Sequence, residues 1–222
     1  MKRTFVGLLL LFLTSNLFAQ MPVLPDYGFR LGLTAHPTIG WIKAEPGKSR
    51  GVSLGFSYGL LGDFNFAENY AFSTGLTITT INGRSTEINV PPYYDGSGTQ
   101  TAYDLKYKLQ YIEIPLTVKL RTAKMGDVKW YGQFGLSNDF NISAKQSAEA
   151  SGKTAIEDKN ISKQINFYRA GLILGGGAEF DIADHTSIAL GLSLNNGFTN
   201  IADDNNRKVR NHYLGLNVAV FF

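Results

Sequence analysis

The chain has 222 residues, with 21 Lys and Arg against 18 Asp and Glu, a net charge of +3, and no cysteine. Without thiols there are no disulfides, thiolate metal sites, cysteine nucleophiles or lipoprotein anchor, and the near balance of charge offers no basic field for nucleic acid. The 24 Gly, 7 Pro, 15 Phe and 11 Tyr point to a single β-rich domain.

Lys2 and Arg3 precede an apolar run from Phe5 to Leu13, followed by Ser15, Asn16 and Phe18-Ala19-Gln20. This order predicts a signal peptide over residues 1–19, cut after Ala19, since the run is shorter than the ~20 apolar residues of a spanning helix. Loss of Lys2 and Arg3 leaves 19 basic against 18 acidic residues. Residues 20–28 then read as a periplasmic segment and residues 29–222 as one β-barrel domain.

Eight segments alternate apolar with polar or small residues, the period of a strand between two solvents. The first carries Phe29, Leu31, Leu33 and Ala35 on one face, with Arg30, Gly32, Thr34 and His36 on the other, and runs out near Trp41. The second, about 51 to 66, sets Val52, Leu54, Phe56, Tyr58, Leu60 and Phe64 against Ser53, Gly55, Ser57 and Asp63. The third, 70 to 81, sets Phe72, Leu76 and Ile78 against Ser73, Gly75 and Thr77. In the fourth, 104 to 121, Leu105, Tyr107 and Leu109 are followed by Ile112, Ile114, Leu116, Val118 and Leu120. Parity slips by one between Leu109 and Ile112, and a β-bulge at Gln110 or Tyr111 would bring both sets to one face.

The fifth, about 128 to 142, carries Val128, Trp130, Phe134 and Leu136, and the sixth, about 163 to 182, carries Tyr168, Leu172, Leu174, Phe180 and Ile182. The seventh, 186 to 198, sets Ile188, Leu190, Leu192 and Leu194 against Ser187, Gly191, Ser193 and Asn195. The eighth ends the chain with Leu214, Leu216, Val218, Val220 and Phe222 on one face. Connections at about 43–50, 83–103, 143–162 and 199–209 are longer and polar, whereas those at 67–69, 122–127 and 183–185 are short. This alternation predicts an all-β, eight-stranded antiparallel up-and-down transmembrane β-barrel, with short periplasmic turns and longer extracellular loops. Mean hydropathy of −0.08 is compatible, because every second barrel residue faces a polar lumen. Aromatic residues near strand ends, Trp41, Tyr93, Tyr94, Phe140 and Phe198 outside and Phe64, Phe66, Tyr70, Trp130, Phe180 and Phe222 inside, read as two interfacial girdles.

Tyr111-Ile112-Glu113-Ile114-Pro115-Leu116 resembles a strand of the outer-membrane β-barrel domain proteins of Bacteroidetes, often labelled PorT-like or porin family. Phe18-Ala19-Gln20, the opening Phe29-Arg30-Leu31-Gly32-Leu33 and the terminal aromatic also fit that family. The resemblance implies an eight-stranded barrel in the outer membrane and no common activity. It also implies contact with outer-membrane lipid and with the insertion machinery during biogenesis.

Arg30, Asp63, Glu113, Lys119, Arg169 and Glu179 fall on the lumen face, with Arg121 and Asp181, and read as a structural charge network in a barrel just wide enough to be filled. Pro115 reads as a register device beside the bulge, and Gly175-Gly176-Gly177 as close strand packing, since no Lys-Ser or Lys-Thr of a phosphate loop follows. His36 and His212 are expected near the outer rim, close to Asp203 and Asp204, as solvated residues on opposite faces. Their alternative reading is a His-carboxylate pair for acyl transfer. Exposed Pro91, Pro92, Tyr93, Tyr94 and Asp95 suit recognition of a protein or glycan. The expectation is therefore a barrel of structural or surface-binding role, with no cofactor, metal or catalytic residue and with its lumen plugged. The alternatives are an accessory subunit of an envelope complex such as the type IX secretion apparatus, a small-solute channel and a lipid-modifying enzyme.

Overall fold

The computed structural model describes residues 28–90, 93, 101–150, 156–204 and 206–222. The expected signal segment, and Pro91, Pro92, Tyr94 and Asp95 of the third connection, lie outside these residues. Among the described residues nine strands form: β1 Phe29–Glu45, β2 Gly47–Ala67, β3 Tyr70–Ile88, β4 Ala102–Arg121, β5 Val128–Ala150, β6 Ile156–Asn160, β7 Tyr168–Ala183, β8 Thr186–Gly197 and β9 Lys208–Phe221. Eight of them close an antiparallel ring in the order β4-β3-β2-β1-β9-β8-β7-β5, sealed by pairing of β4 with β5. The terminal strand closes against the first, Gly32 opposite Phe221 and Trp41 opposite His212. Beyond the ring, β6 pairs with the upper end of β5.

Apolar side chains that would be core in a soluble protein face outward here. Leu33, Leu60, Leu76, Phe134, Leu172, Leu192 and Leu216 are all exposed on the barrel wall, a lipid-facing band of the kind only a closed sheet can present, because closure pairs every backbone donor and acceptor. Glycines let the wall curve: a Cβ on Gly177 would stand 2.1 Å from the Leu190 carbonyl oxygen, and one on Gly135 2.1 Å from that of Leu116.

The outer side departs from the sequence expectation. Connection 43–50 is not a loop, since β1 and β2 run on to leave only Pro46 between them. Much of 83–103 and 143–162 is strand as well, with β3 reaching Ile88, β4 starting at Ala102 and β5 reaching Ala150. The sixth segment starts later than expected, at Tyr168, preceded by β6 and a single 3-10 turn, Ser162–Gln164. The longer outer connections are thus largely protruding sheet. At ~3.3 Å per residue, the 23 residues of β5 extend ~75 Å, well over twice an apolar band ~25 Å tall even when tilted ~40°. The 12 residues of β8 extend ~40 Å and little more than span it.

The expected bulge in the fourth segment is also corrected. β4 keeps one parity throughout, with Leu105, Tyr107, Leu109 and Tyr111 inward and Ile112, Ile114, Leu116 and Val118 outward. The register shift at this level lies between the Gln110–Ser143 and Tyr111–Asn141 pairs, so the extra residue is Ile142 on β5. The slip in the sequence records an inversion instead: below this height apolar residues face out to lipid, and above it they face in.

Candidate functional site

The lumen is occupied in three tiers. At the periplasmic end, Arg30 Nη2 on β1 lies 3.0 Å from Asp63 on β2 and 3.0 Å from Glu179 on β7. Lys119 on β4 reaches the same two carboxylates at 3.0 and 3.2 Å. Arg121 pairs with Asp63 and, at 3.3 Å, with Glu179. Both carboxylates are fully buried, and burying them is tolerable only because each meets three cations. Phe221 closes the tier from β9, with Lys119 Nζ 4.6 Å and the Arg30 guanidinium 4.8 Å from its ring centre, a cation–π arrangement.

Arg169 on β7 organises the middle tier. It is fully buried, pairs with Asp139 on β5, and donates to Asn195 Oδ1 at 2.9 Å and the Asn211 carbonyl at 2.9 Å. Small residues make its room, since a Cβ on Gly197 would come within 2.7 Å of the guanidinium. Glu113 lies one step further along, with the Tyr213 hydroxyl 2.8 Å from each of its oxygens. Counted with every carboxylate ionised, the lower tier carries one excess positive charge and the middle tier one excess negative charge. Between them a cavity of about 80 Å³ is lined by Thr34, His36, Ser57, Glu113, Lys119 and Asn217 among others, room for roughly two or three waters. Pro115 also lines it, paired opposite Ser137 and away from the bulge at Ile142.

The upper tier is apolar with one ion pair at its centre. Ile42, Ile81, Leu105, Leu109, Tyr111, Ile161, Ile165, Ile201 and Val209 form a buried cluster. Within this upper part, Glu87 accepts from Arg207 at 2.7 Å, Tyr107 at 2.8 Å and Ser85 at 2.5 Å. Arg207 also holds Asp204 at 2.6 Å.

The structure therefore brings Arg30, Asp63, Lys119 and Glu179 together and places Glu113 and Arg169 in a separate tier. Sequence reasoning missed Asp139, although its parity with Gln133 and Ser137 marks it as inward. It also missed Glu87 and Arg207, which lie in stretches read as loop. Asp181 sits at the periplasmic rim, 3.0 Å from Lys124 and 3.3 Å from Lys129.

The histidines do not sit as expected. His36 is buried in the lumen five residues below Trp41, not at the outer rim, and its Nδ1 lies 3.1 Å from the Thr34 hydroxyl. His212 points outward as its parity predicts but is buried rather than solvated, its ring stacked 5.5 Å from Trp41. Facing opposite solvents, the two cannot act on one substrate, and Asp204 is engaged by Arg207. Among the described residues no cluster of three or more His, Cys, Asp and Glu could hold a metal.

Tyr93 is half-buried rather than exposed. Its ring packs 5.7 Å from Tyr103 and lies 5.2 Å from Lys159 Nζ, and its carbonyl accepts from Tyr103 at 3.0 Å. Burial pushes its phenol up to about 12.

No curated protein matches the chain in sequence. Among solved structures it is similar to Neisserial surface protein A (15% identity, 87% of this chain and 95% of that one, TM-score 0.47). It is likewise similar to a major outer membrane protein of Thermus thermophilus (12%, 88% and 99%, 0.46) and to OprG of Pseudomonas aeruginosa (10%, 87% and 95%, 0.44). The model of the outer membrane protein beta-barrel domain matches residues 18–221, so a chain whose apolar wall and closed ring already require a membrane belongs to that family and sits in the outer membrane.

Proposed function

We propose that this barrel acts without catalysis, as a structural or surface-binding protein whose lumen is closed to solutes. The observation that carries this reading is the stack of tiers: an ion-paired plug, a second buried pair and an apolar cap occupy the bore in succession. An unpaired charge in any of them costs several kcal/mol, so the tiers resist opening. Signal-peptide cleavage after Ala19 and insertion by the outer-membrane assembly machinery, reading the final strand, complete the proposal. What remains for contact is the outer end, with the connection between β3 and β4, in which Val90 and Tyr93 are anchored. Planar-bilayer recording of the purified protein should show no stepwise conductance, and regular unitary steps would overturn the closed-lumen reading. Deleting residues 91–98 should abolish cell-surface adhesion or partner capture while leaving the barrel folded, and unchanged adhesion would count against surface binding.

A second reading, an accessory subunit of an envelope complex such as the secretion apparatus, is favoured by β6. Among the described residues this strand pairs with β5 alone, leaving one edge able to accept a partner strand. A stoichiometric partner retained on purification in mild detergent, and lost on replacing Glu157 and Lys159 by proline, would support it.

A further inference from the structure

The outward face of the upper sheet carries a second, unused arrangement of charge. Immediately above the lipid-facing Ile78, Ile112 and Ile142 come Thr80, Asn82, Gln110 and Ser143, and then a row of cations. Arg84 on β3 stands directly opposite Lys106 on β4, and Lys108 on β4 directly opposite Lys145 on β5. Directly opposed residues have Cβ atoms ~5 Å apart, and successive outward positions on a strand are ~7 Å apart. Four cations from three strands thus share one patch of wall.

Like charges placed opposite each other destabilise a sheet. Lys108 is relieved by Asp158 at 2.7 Å. Among the described residues, the side chains of Arg84, Lys106 and Lys145 make no hydrogen bond or close ion pair, although Lys106 and Lys145 lie near enough to Asp158 to act on its charge. The acidic residues of the same face, Asp104 opposite Glu149 and Glu157 on β6 beside them, lie further from the membrane. Asp104 is occupied by Arg50 and Thr86. Glu149 is four residues beyond Lys145 on β5, ~13 Å further out, and two beyond Ser147, which stands opposite Lys106, so ~7 Å above that cation. The face therefore runs from apolar through neutral polar to a mainly basic row, with Asp158 as the one carboxylate among its four cations, and then to a row of three carboxylates and Arg50. A soluble surface mixes its signs, whereas this order matches a bilayer, where the phosphate layer lies just above the hydrocarbon.

We propose that Arg84, Lys106, Lys108 and Lys145 form a docking site for the phosphate groups of an outer-leaflet phosphorylated glycolipid. The outer leaflet is assigned by topology, because the short turns, the start of β1 at Phe29 and the end of β9 at Phe221 lie on the opposite side. A phosphate seated between two opposed cations turns their repulsion into two charge-assisted contacts, and the acidic row above sets the height at which the headgroup stops. The site takes the lipid by its charge and its depth together, so a free anion offers only half of what it recognises.

The test compares the full-length protein with an Arg84→Gln/Lys106→Gln/Lys145→Gln variant in phosphatidylcholine vesicles containing either bis-phosphorylated or dephosphorylated lipid A. At roughly fivefold per surface charge, the variant should lose on the order of a hundredfold in affinity for the phosphorylated lipid, and both proteins should bind the dephosphorylated lipid equally weakly. Folding is checked by the gel-mobility shift of the closed barrel, and a charge-conserving Arg84→Lys/Lys145→Arg variant should bind as the parent does. Equal affinity of parent and triple variant for phosphorylated lipid A would overturn the proposal. So would full competition by millimolar inorganic phosphate, which would make the patch a simple anion site.

Discussion

Leu109 and Leu116 stand seven residues apart on β4, yet Leu109 is sealed inside the barrel and Leu116 faces lipid. The same strand, with unbroken parity, serves two opposite solvent arrangements. In the membrane-embedded half, lipid outside rewards apolar residues and the bore is filled by ion pairs. In the protruding half, water outside rewards Lys106 and Lys108, and the interior collapses into an apolar cluster like that of a soluble domain. Apolar residues follow the environment that excludes water, and the environment changes sides at the membrane surface.

The contrast can be broken most forcefully at Arg169. Arg169→Met would leave Asp139 buried without its cation and should cost about 3–5 kcal/mol, read by urea unfolding of the barrel in detergent. Arg169→Met with Asp139→Leu should recover much of that loss. In the protruding half the equivalent loss is a cavity, so Leu109→Ala should cost about 2–5 kcal/mol and admit protease to β3 and β4 above the membrane. Leu116→Ala should cost less, because lipid chains close the gap. One substitution applied to the outward face of both halves sharpens the comparison. Leu116→Arg in the lipid band should cost about 2–4 kcal/mol, whereas Thr86→Arg, two residues beyond Arg84, should stay within about 0.5 kcal/mol.

The smallest effect concerns pH on the protruding surface. Lys108 donates to both Asp158 oxygens at 2.7 and 3.0 Å, and this holds the carboxyl below its ordinary 3.8. A lowered folded value means the pair stabilises above pH 3.8 and loses its contribution as pH falls through the folded value. The pair is exposed, so global stability should barely change. A carboxyl NMR titration should place the Asp158 midpoint below 3.8 and move it back toward that value in Lys108→Gln, with Lys145 and Lys106 holding the remainder.

The membrane half was legible because alternation there has one meaning. The segments from Phe29 to Ile39 and from Leu214 to Val218 show large apolar residues on one face only, with Phe221 the exception turned inward, and the inward charges Arg30, Asp63, Lys119 and Glu179 follow from parity. The protruding half was not. Leu105, Tyr107 and Leu109 alternate as cleanly as Leu116, Val118 and Leu120, but alternation states only that two faces differ, not which one meets water. Glu87 and Arg207 were hidden for the same reason, being polar residues in stretches whose polarity resembles loop.

By itself the sequence determined the strand periods, the closed antiparallel architecture and the inward charges of the lower tier, because these depend on local alternation and on the solvents either side of a single strand. Only the tertiary structure decided how high the sheet rises above the membrane and where its inside and outside exchange polarity. It also decided which charges pair in which tier. Each depends on contacts between residues as distant as Arg207 and Glu87, 120 positions apart in the chain, which closure of the barrel alone brings together.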